Sequence, residues 1–421
     1  MYVKRDHNRS FFHDKRRGSG MNVWVLFGFG TILGAIAILM ILYFNQFQLA
    51  ALEAIGMAPT ATPQSQSYAM RGQTLFYQGD VDGAILQFGL ALQQQPDNID
   101  YLYEYGALLI EAERTTEAQP IAARALEVAP DDPRGYALMA RVLMWDAPEE
   151  AIRYAIQGID VDPNFAPLYA AQGVAYTNLG RWQEGIRNGA RAVELNPNDI
   201  FVQVSYQWPL TYRGDYWGAI DALQTAISLN PNLTSPYFYL ASQYMNTVSM
   251  PQMAIATYLR ILEIDPNNAK AYLRLCQTYA RVDEARFDIA QPYCDTAIEL
   301  DPDYGEAYMQ RGQMQYARRN YEGAIESFNI CREKGSTRIE CSYLRGFAYY
   351  RLGSYTEAWD ILQNEARPLA IEQGGLESIL TQIGQVMDAI TEKAPGFQGM
   401  EVPTAIPPTP LPPTPIGGFG T

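Results

Sequence analysis

Nine times along this chain a small residue recurs at nearly constant spacing, and that rhythm limits the fold more than any other feature. The residues are Ala84, Ala118, Ala151, Gly185, Ala219, Ala254, Ala290, Ala324 and Ala358, separated by 34, 33, 34, 34, 35, 36, 34 and 34 positions. Twelve residues after each of the first seven stands a proline: Pro96, Pro130, Pro163, Pro197, Pro231, Pro266 and Pro302. A period of this length marks a stack of like supersecondary units rather than one globule.

The residue types explain what each unit must be. Two short helices that cross closely need small side chains at the contact. Gly72, Gly106, Ala140, Gly173, Ala241, Gly312 and Gly346 supply them on the first helix, and the phased alanines on the second. Proline closes the second helix because it has no N–H and disfavours a helical residue before it. The Asn or Asp residues that follow (Asp97-Asn98, Asp131-Asp132, Asn198-Asp199, Asn267-Asn268) are placed to cap the next helix. Such a hairpin cannot bury its own apolar faces, so neighbours must stack.

At these positions the units resemble tetratricopeptide repeats, whose pattern is Trp-x₂-Leu-Gly-x₂-Tyr, then Ala-x₃-Phe, then Pro. Gly72, Ala84, Phe88, Ala91 and Pro96 fall in phase in one unit; Tyr169, Gly173, Tyr176, Ala192 and Pro197 in another; Tyr308, Gly312, Ala324 and Phe328 in a third. The resemblance covers residues 65–370 in nine units. It implies an all-α, right-handed superhelix of helix-turn-helix units whose first helices line a concave, ligand-binding face. Residues 371–394 carry an amphipathic run (Leu376, Ile379, Leu380, Ile383, Val386, Met387, Ile390) suited to a C-terminal capping helix.

The pattern is broken in places. The third unit is one residue short, and the sixth and seventh carry one and two extra residues near Thr247–Pro251 and Val282–Phe287. Pro209 falls inside the first helix of the fifth unit, where it is expected to kink the helix or unwind a turn. Lys334, Gly335 and Ser336 replace the closing proline of the eighth.

Outside the array, residues 1–22 form a basic leader with six Lys or Arg against two Asp. Residues 23–44 contain no charge and, at ~1.5 Å rise per residue, are long enough for a single transmembrane helix. A cleaved signal peptide is the alternative, although its apolar core is usually shorter, roughly 7–15 residues. Basic residues before the span and none between 45 and 70 orient the N-terminus to the cytoplasm and the array outside it, in the cell membrane as a signal anchor. Residues 45–64 read as a linker and 395–421 as a Pro/Thr-rich tail without a core.

Composition excludes several functions. The chain of 421 residues has a net charge of −15, so nucleic acid is not an expected partner. The two histidines, His7 and His13, lie in the leader, which leaves the array without the commonest general base and metal ligand. Adjacent acidic pairs fall at helix starts and read as caps. No catalytic, metal or cofactor site is expected, and the protein is not read as an enzyme.

The family register instead puts aromatic residues on the concave face: Phe76, Tyr77, Tyr103, Trp145, Phe201, Trp208, Tyr212, Phe238, Tyr316, Tyr343, Phe347 and Tyr350. Arg134, Arg141, Lys270, Arg281 and Arg351 share that register. Rigid amphipathic rings with a few cations suit an extended peptide or a stacked sugar chain. The bland alternative is that some rings only fill gaps between first helices. The Lys/Asn/Arg set by which some family members hold a C-terminal carboxylate is absent from the first units. Cys276 and Cys294 take facing positions in one hairpin, and Cys331 and Cys341 flank the turn that lacks its proline; each pair is a candidate disulfide, the other reading being four buried thiols. The expectation is a membrane-anchored scaffold for a protein or peptide partner in cell-envelope assembly. A glycan-binding or export accessory protein and a non-catalytic subunit of a membrane enzyme complex are the alternatives.

Overall fold

The structure, a computed structural model, describes residues 64–282 and 287–394. The leader, the span expected at 23–44, the linker before residue 64 and the Pro/Thr-rich tail lie outside them, as do residues 283–286 in the turn of the seventh unit. Among the described residues no helix is long and apolar enough to cross a membrane.

All regular structure among these residues is helical, in hairpins that follow the sequence period. The first three units are α1 (Ser65–Gln78) with α2 (Val81–Gln94), α3 (Ile99–Glu111) with α4 (Thr115–Val128), and α5 (Pro133–Leu143) with α6 (Pro148–Val161). Next come α7 (Ala166–Asn178) with α8 (Trp182–Leu195), α9 (Ile200–Arg213) with α10 (Tyr216–Leu229), and α11 (Ser235–Asn246) with α12 (Pro251–Ile264). Units seven and eight are α13 (Ala269–Val282) with α14 (Phe287–Leu300) and α15 (Gly305–Ala317) with α16 (Tyr321–Glu333). The ninth pairs α17 (Glu340–Leu352) with α18 (Tyr355–Ile361), which runs through a π turn at Leu362–Ala366 into α19 (Arg367–Glu372); α20 (Glu377–Lys393) follows.

Local chemistry sets the ends of these helices. The Asn98 side chain accepts from the backbone N–H groups of Asp100 and Tyr101, and Asp199 accepts from that of Val202. Such a cap satisfies helix N–H groups that have no partner within the helix. Within a hairpin, the glycine of the first helix lies under a large side chain of the second. A Cβ on Gly72 would meet the Phe88 ring at 2.7 Å, and one on Gly312 the Phe328 ring at 2.7 Å.

The fourth unit is built differently. Gly189 stands where Phe88 and Phe328 stand in their units, so nothing large separates the two backbones. A Cβ on Gly173 would lie 3.1 Å from both the Gly185 carbonyl oxygen and the Gly189 nitrogen. The outer face of these glycines receives the fifth unit: Tyr206 packs over Gly189, and Pro209 lies against both Gly185 and Gly189. The kink or unwound turn expected at Pro209 does not appear as a break, because α9 is one continuous α-helix. The pyrrolidine ring is buried in the space the glycines leave, which gives it a packing role there.

The array bends so far that its first two units meet the fifth to seventh. Asn230 Nδ2 donates to the Phe76 carbonyl at 3.1 Å, and Asn232 Nδ2 to the Tyr77 carbonyl at 3.0 Å. The Ser235 hydroxyl donates to the Glu111 carboxylate, and Lys270 Nζ pairs with Glu113 at 2.5 Å. Gly79, at φ +88°, sits so close that a Cβ would come within 2.3 Å of the Asn232 carbonyl oxygen. We refer to these contacts as the latch. Gly214 has almost the same φ, +87°, with nothing within 4 Å of a Cβ. Gly79→Ala should therefore destabilise the array by about 1–2 kcal/mol more than Gly214→Ala, because both carry the left-handed strain and only one meets the latch. Urea unfolding of the two variants compares them directly; equal losses would mean the latch contributes nothing.

At the other end α20 closes the stack. Ile383 and Met387 pack with Phe347, Leu362 and Ala366 of the ninth unit, and Ile390 is fully buried. The second helix of that unit extends to Glu372, two residues past the end expected from the repeat.

Candidate functional site

The concave face is not one uniform groove; the latch divides it. On the N-terminal side a cavity of about 300 Å³ lies between the first helices of units one to three and the junction before α9. Phe76, Tyr77, Tyr103 and Phe201 line it together with Glu104, Glu111, Asp199 and Arg141. Arg141 is buried, at 6 % exposure, with its guanidinium carbon 3.9 Å from the Phe201 ring centroid and its Nε without a partner. It is the cation within a ring of acids. Enclosure raises the carboxyl of Glu111 above the usual range, against the lowering effects of Ser235 and Arg141. Glu104 is raised for the same first reason. Burial likewise lifts the Tyr103 phenol, while Arg141 beside it pulls the other way.

Past the latch the chemistry reverses. A second cavity, of about 430 Å³, has Trp208, Phe238 and Tyr239 in its wall, with Lys270, Arg274 and Arg281 of α13 opposite. Among the described residues its lining contains no carboxylate. Trp208 is held edge-on between Trp145, with ring centroids 4.9 Å apart, and Tyr239 at 5.8 Å. Trp145 belongs to the third unit and reaches Trp208 of the fifth because α7 between them presents alanines, Ala171 and Ala175 among them. Asn178 fixes the approach, its Nδ2 donating to the Trp145 carbonyl at 2.7 Å. Between α9 and α11, Gln243 Nε2 donates to Gln207 Oε1 at 2.8 Å and so ties Trp208 and Tyr239 in register. The tyrosine phenol is pushed up to about 12, mainly by enclosure.

The cavities join. Glu111 borders both the first and a larger space at the latch, and Phe238 and Lys270 border that space and the second. Gln277 and Arg281 continue into a fourth opening bounded by Gln310 and Gln313 of α15.

The structure therefore brings together Phe76, Tyr77, Tyr103, Arg141 and Phe201 at one end of this tract, and Trp208, Phe238, Lys270 and Arg281 at the other. Trp145 joins through Trp208, and Tyr212 continues the same face of α9 one turn on and stands exposed. Other expected groove residues are used elsewhere. Arg134 binds Asp132 and Asp100 at the start of α5, so it anchors a helix end. Phe347 is buried under α20, and Tyr343 packs edge-on against it at 5.3 Å. Tyr316 is edge-on to Tyr321 of its own unit and joins the cluster under α20. Tyr350 packs on Tyr355 and lies beneath Lys393, and Arg351 stands beside it. These four rings complete the C-terminal end of the stack and leave the groove to the units before it. Sequence reasoning missed Glu104, Glu111, Tyr239 and Arg274, and took Asp199 for a cap alone. Tyr239 was within reach, since it directly follows Phe238 on α11.

The cysteines lie outside the tract. Cys276 and Cys294 are bonded across the seventh hairpin with Cα atoms 5.3 Å apart, and Cys331 and Cys341 join the eighth unit to the ninth with Cα atoms 6.2 Å apart.

Two family models described as tetratricopeptide repeat match residues 75–142 and 278–336. Those two stretches carry tetratricopeptide repeats. It is 21 % identical to the protein CTR9 homolog of Arabidopsis thaliana over 72 % of its own length and 26 % of that protein's. It is also 25 % identical to the mitochondrial import receptor subunit TOM70 of Homo sapiens over 44 % of this chain and 31 % of that protein. The chain thus spans only about a quarter to a third of these relatives. The TPR repeat-containing protein YpiA of Bacillus subtilis is 23 % identical over 69 % of this chain and 76 % of its own. Among solved structures, a chain of the APC/C hetero-tetramer Cut9–Hcn1 superimposes with a TM-score of 0.54 at 14 % identity, covering 78 % of this chain and 64 % of that one. The array has the architecture of a protein-interaction scaffold.

Proposed function

We propose that this chain is a membrane-anchored scaffold that holds a segment of a protein partner in the tract running from unit five to unit eight. One observation carries the reading. Trp208, Phe238 and Tyr239 face a space of about 430 Å³ that no side chain of the array fills, opposite cations and amides. Large rings left facing solvent on a rigid support are the residues that dominate protein interfaces. The charge-free stretch at 23–44, flanked by the basic leader, supports an anchor with the array on the outer side of the membrane, and a role in envelope assembly follows from that placement.

Trp208→Ala removes the central ring of the wall. Crosslinking in native membranes followed by mass spectrometry should identify the captured segment, and the variant should hold it at least about 30-fold more weakly, as expected for a hot-spot tryptophan. Trp217→Ala, which removes a 61 % exposed ring on α10 outside the lining of this space, serves as the control. Unchanged capture by Trp208→Ala would reject the tract as the binding surface.

A further inference from the structure

We propose that the partner segment seated over units six to eight is acidic, an extended peptide whose Glu or Asp side chains are read by Arg274 and Arg281. This rests on the reading of the tract as a protein-binding surface and adds the chemistry of what it takes.

The chain has 46 acidic residues against 31 Lys and Arg, so a cation on its surface normally finds a carboxylate nearby. On the second helices it does so at helical spacing: Arg114 pairs with Glu117 at 2.7 Å, Arg181 with Glu184 at 2.7 Å and Arg260 with Glu263 at 2.5 Å. The arginines of α13 break that habit. Arg274 donates to the Gln277 side-chain oxygen at 2.7 Å, and Arg281 to the Asn246 side-chain oxygen at 2.9 Å. Both partners are neutral amides, which a carboxylate displaces readily because a charge-assisted bond is about twice as strong. Among the described residues, two adjoining openings, the one walled by Trp208, Phe238 and Tyr239 and the one that reaches Gln310 and Gln313, have no Asp or Glu in their linings. In so acidic a protein, a described lining without carboxylates leaves the complementary charge to the ligand.

The same placement limits how far an acidic run extends. Lys270 is occupied by Glu113 at the latch. Beyond it the wall holds Glu111, Glu104 and Asp199 against the single cation Arg141. Like charges there repel an acidic strand, so the acidic run stops at the latch and whatever continues past it is neutral or basic. Glutamines at 277, 310 and 313 offer both donors and acceptors along the open part, which suits the backbone of an extended strand.

The test uses the purified full-length chain and three short fluorescein-labelled peptides that alternate tyrosine with glutamate, glutamine or lysine, followed by fluorescence anisotropy. The glutamate peptide should bind at least about tenfold more tightly than the glutamine peptide. Arg274→Gln with Arg281→Gln should bring it down to the glutamine level without altering the glutamine peptide, so a generally misfolded variant is recognised by loss of both. In the unaltered protein, added salt should weaken the glutamate peptide and leave the glutamine peptide nearly unchanged. Equal affinity for the glutamate and glutamine peptides, or tighter binding of the lysine peptide, overturns the acidic assignment while the tract remains a binding surface. Failure of all three to bind overturns both.

Discussion

A Gly173→Leu chain is expected to lose about 3 kcal/mol or more of stability, the upper end of the overpacking range, and to release the latch at Asn230 and Asn232. The position has no slack. A Cβ alone would sit 3.1 Å from two backbone atoms of α8, and backbone cannot rotate aside as a side chain does. The rest of a leucine has only the gap between α7 and α8 to enter, and Gly185 and Gly189 keep that gap closed. Forcing the helices apart moves the surface on which Tyr206 and Pro209 rest, and with it the angle at which the fifth unit leaves the fourth. The contacts that return the array onto its first unit depend on that angle. Denaturant unfolding measures the first effect, and hydrogen exchange at the loop containing Asn230 and Asn232 the second. Gly106→Leu is the comparison, because its Cβ would meet the Leu138 and Ile121 side chains, which can repack. If the two variants lose equal stability and both keep the loop protected, the tight fourth hairpin does not set the bend.

That dependence also marks what could be read from the chain alone. Spacing, caps and small crossing residues are local, each fixed by neighbours within one unit, and they were legible: Asn98 and Asp199 cap helices, and Gly72 and Gly312 lie beneath phenylalanines. Curvature is a sum over units, and a small change in one crossing shifts everything beyond it. Ser235 and Glu111 are 124 residues apart, and their contact depends on the summed curvature of the units between them. No periodicity reports that contact. The acidic character of the first cavity stayed hidden for the same reason, since Glu111 and Asp199 are distant in the chain. The misplacing of Phe347 and Tyr343 has another cause. The family register assumes a further unit beyond each first helix, whereas α20 takes that place after the ninth and covers them. Pro209 shows propensity overridden by packing: the glycines of α8 accept its ring, and the helix runs on.

Reducing both disulfides is expected to remove about 3 kcal/mol for each bridge, the largest loss any treatment of the array should produce, and to confine the damage to units seven to nine. The bridges close short segments, with sequence separations of 18 for Cys276–Cys294 and 10 for Cys331–Cys341. Their positions are where the repeat supports itself least: the seventh unit departs from the usual hairpin length, and the eighth ends at Gly335 without its proline. Beyond the latch and the Trp145–Trp208 contact the units lean mainly on their neighbours, so stability there is close to a sum of local terms and a weakened segment opens by itself. The latch reinforces the opposite end, tying units one and two to units five to seven. Reductant should therefore speed hydrogen exchange and proteolysis between α13 and α19 while α1 to α8 keep their protection. All four cysteines are fully buried, so reduction must wait for that opening, and the variant with all four changed to alanine gives the equilibrium value. Should oxidised, reduced and alanine-substituted chains melt together, the bridges would carry no stability. A large separation would also bear on where the array works. A fold that loses its C-terminal third on reduction belongs in an oxidising compartment, in keeping with the outer-side placement we propose for the array.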